Sequence, residues 1–312
     1  MRTGSIYAFL CFLLFGGLLF SSGCSGARGI SAGGSGSTAV PQFGHVVLLV
    51  EENHPYSSVI GSSAMPYLNS LAKRYGLATN YFANVHQSIG NYFMLTTGEL
   101  VTSDDSFTGT VDADNLVREL LAAGKSWKSY AESLPSVGYT GGDVYPYMEH
   151  HNPFSYFSDV RNSSVQLQNL VPFTQFSSDL ASNQLPNFSF IVPNAEHDAH
   201  DCPNGTSNCP DAVRLSAADA WLKTNIAPLL ASSAFQKDGL LVIVFDESFD
   251  LDIANGGGHV PMLVISPRAK SGYQSTTFFQ HQSTLRLLIE ATGAKGFPGA
   301  SSSAPDMGGF FQ

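Results

Sequence analysis

The sequence predicts an α/β protein, a three-layer αβα sandwich around a mostly parallel central sheet. Three observations lead there. Continuous apolar runs without helical period, at 45–50, 187–192 and 239–245, suit strands buried on both faces. Segments of helical length and pattern separate those runs, and such alternation marks a sheet covered on both sides. The runs also end abruptly in polar residues, as strands do where a ligand site gathers at their carboxyl ends.

The chain of 312 residues is within reach of one large α/β domain. Hydrophobic residues make up 43% of it and charged residues 13%, well under the usual charged fraction, so Ser, Thr, Asn and Gln must supply much of the polar surface. A formal net charge of -10 excludes the broad cationic face needed for nucleic acid or an anionic membrane.

Arg2, the apolar run 6–20 and Ser21-Ser22-Gly23-Cys24 read as an export signal over residues 1–23. The run is shorter than the ~20 residues that span a bilayer. The small residues before Cys24 are similar to a bacterial lipobox, apart from Ser21, which stands where an apolar residue is usual. Cys24 is thus a candidate lipid anchor, with soluble release as the alternative. Either way the expected destination is the periplasm, the cell surface or the medium. The Gly/Ser-rich stretch 24–42 reads as a flexible linker. Cys202 and Cys209 remain in the body of the chain, and an even pair in an exported protein predicts a disulfide. A Cys/Cys metal site competes, with unsuitable spacing.

The first strand stops at Glu51, Glu52 and Asn53. Residues 65–75 read as an amphipathic helix with Leu68, Leu71 and Ala72 on one side. A short strand precedes His86, and a helix follows Ser88 and ends at Gly98. Ser88 is either a plain N-cap or a nucleophile placed beside exposed amides and a positive dipole end, which suit a phosphate. Residues 113–123 read as a helix, 125–130 as a strand, and 138–170 as an irregular aromatic-rich stretch able to shape a substrate pocket. The strand 187–192 ends in PNAEHDAHD, and a helix over 212–230 follows. The strand 239–245 ends in Asp246-Glu247-Ser248, a glycine-rich turn leads to His259 and a strand over 261–266, and 284–291 is a final helix.

Four polar clusters therefore adjoin strands: 51–54, 86–91, 193–201, and Asp246-Glu247 with His259. Together they hold hard oxygen donors, imidazoles and a hydroxyl. A serine hydroxyl is a weak nucleophile at neutral pH and needs a base or a metal to favour its alkoxide. Phosphoryl transfer needs positive charge around the equatorial oxygens. Basic residues are few near these clusters, so a divalent metal is the expected charge balance, one ion or two, with carboxylates and neutral histidines as ligands.

The segments HVVLLVEENHPY, HQSIGNY, FIVPNAEHDAHD, VIVFDES, GGGHVPMLVISP and YQSTTFFQHQSTLRLL, in that order, resemble the phosphoesterase family of phosphate-repressible acid phosphatases and bacterial phospholipase C-type enzymes, within the alkaline phosphatase superfamily. The likeness runs from His45 to Leu288 and implies an alkaline phosphatase-like fold, with 43–312 as a single catalytic domain. It implies Ser88 as nucleophile, Asn91 on a phosphate oxygen, His86 supporting the serine loop, and Glu52, Asn53, Asp246 and Glu247 as metal ligands. Gln87 and Gly90 stand where the family commonly has proline. Asp198 and His200 look like the pair near the metal or leaving group, with Asn194, His197 and Asp201 as alternates. A second ion would take Asp198, His200 and His259, though Glu247 stands where several two-metal relatives have histidine.

The implied activity is acid phosphatase-type hydrolysis of a small-molecule phosphomonoester through a phosphoserine. The alternatives are a phospholipase C-like phosphodiesterase and a non-catalytic extracytoplasmic binding protein. A sulfatase is disfavoured, because no formylglycine motif surrounds Ser88. Other polar residues have plainer readings: Glu51 as a solvated neighbour, His45 at the surface, His54 in a polar turn, and His281 capping or packing its helix. At most one of His150 and His151 enters the site if the chain there is extended. Gly256 to Gly258 read as a hinge that delivers His259.

Overall fold

The computed structural model describes residues 39–312. The signal segment 1–23, the candidate anchor Cys24 and most of the 24–42 linker lie outside the described residues. The strands are β1 (His45–Glu51), β2 (Gly76–Ala78), β3 (Tyr81–Phe82), β4 (Trp127–Ala131), β5 (Leu170–Pro172), β6 (Phe188–Val192), β7 (Gly239–Phe245), β8 (Met262–Ile265), β9 (Gln274–Ser275) and β10 (Phe279–Gln280). Eight form one sheet in the order β5-β4-β6-β1-β7-β8-β2-β9, while β3 and β10 pair separately. Pairings in the large sheet are parallel except the two that β8 makes, with β7 and with β2. The chain returns from β7 to β8 through residues 246–261 without a helix to carry it back to the starting edge. A neighbouring strand joined that way runs antiparallel.

β1 lies between β6 and β7 in level register, with Leu49 opposite both Ile191 and Ile243. It is buried beyond its first residue, and β7 is buried throughout, which explains their unbroken apolar sequences. The helices fall into two packed groups. Pro66–Arg74 lies on Asp211–Ala231, while Ser88–Thr97 and Leu116–Ala122 lie on His281–Thr292. This is the mixed α/β architecture, with a large mostly parallel sheet, that the strand–helix alternation predicts.

Helix ends follow local chemistry. Met65 offers no side-chain cap to Pro66–Arg74. Asp219 of the neighbouring helix accepts from the Tyr67 and Leu68 amides instead, at 2.9 and 2.8 Å, and sets a carboxylate on the positive end. Asn115 accepts from the Arg118 amide at 3.1 Å, so that helix begins later than its apolar pattern suggests. Ser88–Thr97 ends at Gly98, whose φ of 69° is the left-handed conformation that a helix stop favours. All the residues of Ser88–Thr97 are buried, which leaves the helix, and the serine at its start, no room to shift.

The stretch 138–170 divides between core and surface. Tyr147, Phe154, Tyr156 and Phe157 turn inward as core, with Phe154 packed on Trp127 and Phe190. Tyr145 stays exposed, at 55%. Cys202 and Cys209 form the expected disulfide. No helix among the described residues is long and apolar enough to cross a membrane.

Candidate active site

The ends of β1 and β7 and the turn after β6 bring Glu52, Asp246, Glu247 and Asp198 toward one another, all buried. Ser88 meets them from its helix. The helix starts at Ser88 and Gln87 holds the cap position, so the serine is not a cap. Its Oγ donates to Glu52 Oε2 at 3.0 Å and stands 3.2 Å from Glu247 Oε1. Asn53 donates its backbone amide to Asp246 Oδ1 at 3.0 Å. One terminal atom of its side-chain amide lies 3.2 Å from Glu247 Oε1 and 3.3 Å from Glu52 Oε2, and the other lies 3.3 Å from His200 Nε2. With nitrogen toward the carboxylates, the amide hydrogen-bonds all three neighbours. With oxygen toward them, it adds another hard donor to the cluster.

Burial pushes the Glu52 and Asp198 carboxyls well above the ordinary carboxylate range. It pushes Asp246 up to about 6, and burial followed by the Asp246 charge pushes Glu247 up to about 9. The basic side chains beside these groups among the described residues are the imidazoles of His86 and His151, and no lysine or arginine reaches them. Asp198 Oδ2 and Asp246 Oδ2 are buried without a hydrogen-bond partner. Oxygens around a small octahedral cation stand about 3 Å apart, given bonds of about 2.1 Å. Ser88 Oγ and the Asn53 amide each lie 3.0 to 3.3 Å from both Glu52 Oε2 and Glu247 Oε1. The donor set fits a divalent cation. Among the described residues no group of three His, Cys, Asp or Glu closes on a metal position unaided, and the oxygen density arises only when Asn53 and Ser88 are counted.

The other expected residues divide. His86 bonds Glu247 Oε2 through Nδ1 and the Asp252 carbonyl through Nε2, the latter at 3.0 Å. A carbonyl only accepts, so Nε2 carries a proton. His200 donates its backbone amide to Asp198 Oδ1 at 2.9 Å, and its Nδ1 bonds Asp201 Oδ1 at 2.8 Å. Asp201 thereby holds a proton on Nδ1 and turns Nε2 toward Asn53. His197 pairs with Glu132 at 3.0 Å, and Asn194 donates to Ser133 Oγ at 3.0 Å.

Several expectations are corrected. His259 does not join the cluster: its ring stacks on Tyr56 and Phe82, with centroids 4.5 and 4.9 Å away, and Nε2 lies 3.1 Å from the Thr79 carbonyl. The glycines before it are no hinge but a close approach to the loop ahead of Ser88. A Cβ at Gly256 would come within 2.0 Å of the Asn84 carbonyl, and one at Gly257 within 2.3 Å of the Val85 carbonyl. Asn91 braces that same loop. Its Oδ1 accepts from the Asn84 and Val85 amides at 3.0 and 3.2 Å, and its Nδ2 donates to the Val85 carbonyl at 2.6 Å. Glu51 is fully buried, with neither oxygen partnered.

Two more residues touch the carboxylates: His151, from the adjacent pair of which the sequence admits at most one, and Tyr92, which the sequence reading does not single out. His151, 3% exposed, sets Nε2 3.3 Å from Glu52 Oε1 and Nδ1 3.4 Å from Asp198 Oδ2. Burial pushes its pKa well down. Tyr92 stacks on its ring at 5.3 Å and donates its hydroxyl to Glu52 Oε1 at 2.6 Å. Tyr92 had a signal, being four residues after Ser88 on one helix face; for His151 the sequence names the pair with His150 but does not choose between them. His150 turns to Asp143. His281 fixes the Asp246 backbone, its Nε2 donating to that carbonyl at 2.6 Å, and burial lowers it to about 4.

The chain is similar to several known proteins. The model of the phosphoesterase family matches residues 62–293. The chain is 30% identical over 262 residues to a phosphatidylinositol-3-phosphatase of Mycobacterium tuberculosis, spanning 83% of this chain and 80% of that one. It is 30% identical over 243 residues to an acid phosphatase of Aspergillus fumigatus, spanning 75% of this chain and about half (51%) of the fungal enzyme. An alkaline phosphatase superfamily protein from Vibrio parahaemolyticus shares the fold, with a TM-score of 0.58 at 15% identity over 83% of this chain and 69% of that one. With the family model matched over residues 62–293 and the mycobacterial phosphatase 30% identical across most of both chains, the chain belongs to the phosphoesterase family, whose members hydrolyse phosphoric esters.

Proposed function

We propose that this protein is an acid phosphatase-type phosphomonoesterase that works through a phosphoserine at Ser88. The observation that carries the reading is the Ser88 hydroxyl, held between Glu52 and Glu247 at the start of a wholly buried helix. Glu52, Asn53, Asp246 and Glu247 are the residues to hold a divalent cation, which would favour the serine alkoxide and balance charge on the phosphoryl group. Ser88 Oγ forms a bond to phosphorus, its proton passes to a carboxylate already in contact, and the bond to the leaving oxygen breaks. His200, in its imidazolium form, gives the Nε2 proton to that oxygen while Asp201 keeps the ring aligned. Water then hydrolyses the phosphoserine. With His259 stacked elsewhere, the geometry favours one cation over two.

The reading is extended to export through residues 1–23, with Cys24 either lipidated or left at the start of a soluble chain. A closed disulfide supports an oxidising destination. The central test is Ser88→Ala with para-nitrophenyl phosphate and with bis-para-nitrophenyl phosphate. The monoester should be the better substrate, Ser88→Ala should reduce kcat at least about a thousandfold, and mass spectrometry of acid-quenched enzyme should find phosphate on Ser88. Full activity in Ser88→Ala would overturn the reading.

A further inference from the structure

Outside His200 lies a cavity of about 440 Å³ lined by Tyr145, His200, Arg214 and three residues of the disulfide loop, Thr206, Ser207 and Asn208. A second hollow, reaching Asn53 and Ser248, shares His200, Asp201 and Arg214 with the first. Asn53 touches the carboxylate cluster and His200 Nε2, so His200 stands between the cluster and the first cavity. That is the side toward which a leaving oxygen protonated by His200 would depart.

The outer wall is prepared in one shape. The Cys202–Cys209 bond closes the loop. Glu196 accepts from the amides of Asn204 and Gly205 at 3.2 and 2.9 Å, and from the Tyr145 hydroxyl at 3.3 Å. A wall ordered beforehand loses little freedom when a ligand enters.

The lining narrows the occupant. Arg214 is the permanent cation among its side chains, and that charge is already matched. One nitrogen of its guanidinium pairs with Asp211, and another donates to the His200 carbonyl at 3.0 Å. Asp201 and Glu196 add negative charge nearby. A second anionic group on the ligand is therefore repelled. Thr206, Ser207 and Asn208 are exposed, neutral donors and acceptors, and the exposed Tyr145 offers a ring face. A hydroxyl-bearing ring meets all of these, and a volume within the roughly 300–1,000 Å³ of small-molecule sites can hold it.

We infer that this cavity is the leaving-group subsite, and that it selects phosphomonoesters of neutral, polyhydroxylated alcohols such as a hexose or a cyclitol. The inference rests on hydrolysis through Ser88 as proposed above. The full chain with saturating divalent cation is assayed on an inositol monophosphate, a hexose monophosphate, a hexose bisphosphate and para-nitrophenyl phosphate. The neutral polyol esters should exceed the bisphosphate in kcat/KM by about tenfold, and Asn208→Leu should lower their kcat/KM relative to the aryl ester by about tenfold, chiefly through KM. The Cys202→Ser/Cys209→Ser double variant should lower the same ratio. Unchanged ratios in both variants, while Ser88-dependent hydrolysis continues, would overturn the subsite and leave the reaction standing. Hydrolysis that does not depend on Ser88 would overturn both.

Discussion

Stripped of divalent cations, this protein should lose stability as pH rises. Asp246 and Glu247 have folded pKa values above their ordinary ones, 3.8 moving to about 6 and 4.5 to about 9, because burial disfavours their charged forms. The folded state then holds protons that the unfolded chain releases. The stability this represents is full below the unfolded values and is lost as pH climbs through the folded ones. At about 1.4 kcal/mol per unit, the two groups together cost on the order of 4 kcal/mol between about pH 5 and about pH 7.5. For a domain of this size that is a fall of roughly 10 °C in Tm. Circular dichroism melts of chelated protein at the two pH values measure it. Glu247→Gln should flatten the slope, since an amide has no proton to lose, and saturating divalent cation should raise Tm most at the higher pH. A chelated Tm that stays level or rises with pH, or a slope untouched in Glu247→Gln, would refute the reasoning.

Two further outcomes follow from single contacts. Tyr92→Phe removes the 2.6 Å hydroxyl donor from buried Glu52 and should destabilise the protein by about 1–3 kcal/mol in urea unfolding; an unchanged midpoint would show that the bond contributes nothing. Burial pushes the Glu51 carboxyl well up, so Glu51→Gln should raise Tm at alkaline pH and leave it nearly unchanged at acidic pH. Equal shifts at both would contradict a protonated Glu51.

Much of the scaffold was legible because its signals are local. The apolar runs of β1, β6 and β7 need no tertiary information, Gly98 marks its own helix stop, and the two cysteines had each other as the remaining pair. Ser88, Glu52, Asp246 and Glu247 could be nominated because each stands where a buried element ends. What stayed hidden depends on distance through space. His151 reaches Glu52 from a turn about a hundred residues away in sequence, and no spacing rule predicts that. Glu51 and Glu52 look alike in sequence, yet the alternation along an extended chain separates them. His259 sits beside a glycine run and a strand, as a delivered ligand would, but two aromatic rings from other segments claim it first. The reversed direction of β8 likewise depends on its helix-free connection from β7, which alternation alone does not specify.

The level register of β1, β6 and β7 divides the labour between frame and fringe. The groups that touch the nucleophile end strands or begin a buried helix, and the sheet pairing holds them in place. The cavity wall belongs instead to an exposed loop, pinned to itself by a disulfide and a carboxylate. Exchanging residues 203–208 for a loop of different length should therefore recast which alcohol is accepted without disturbing the chemistry. Such an enzyme can diversify at its edge while its centre stays still.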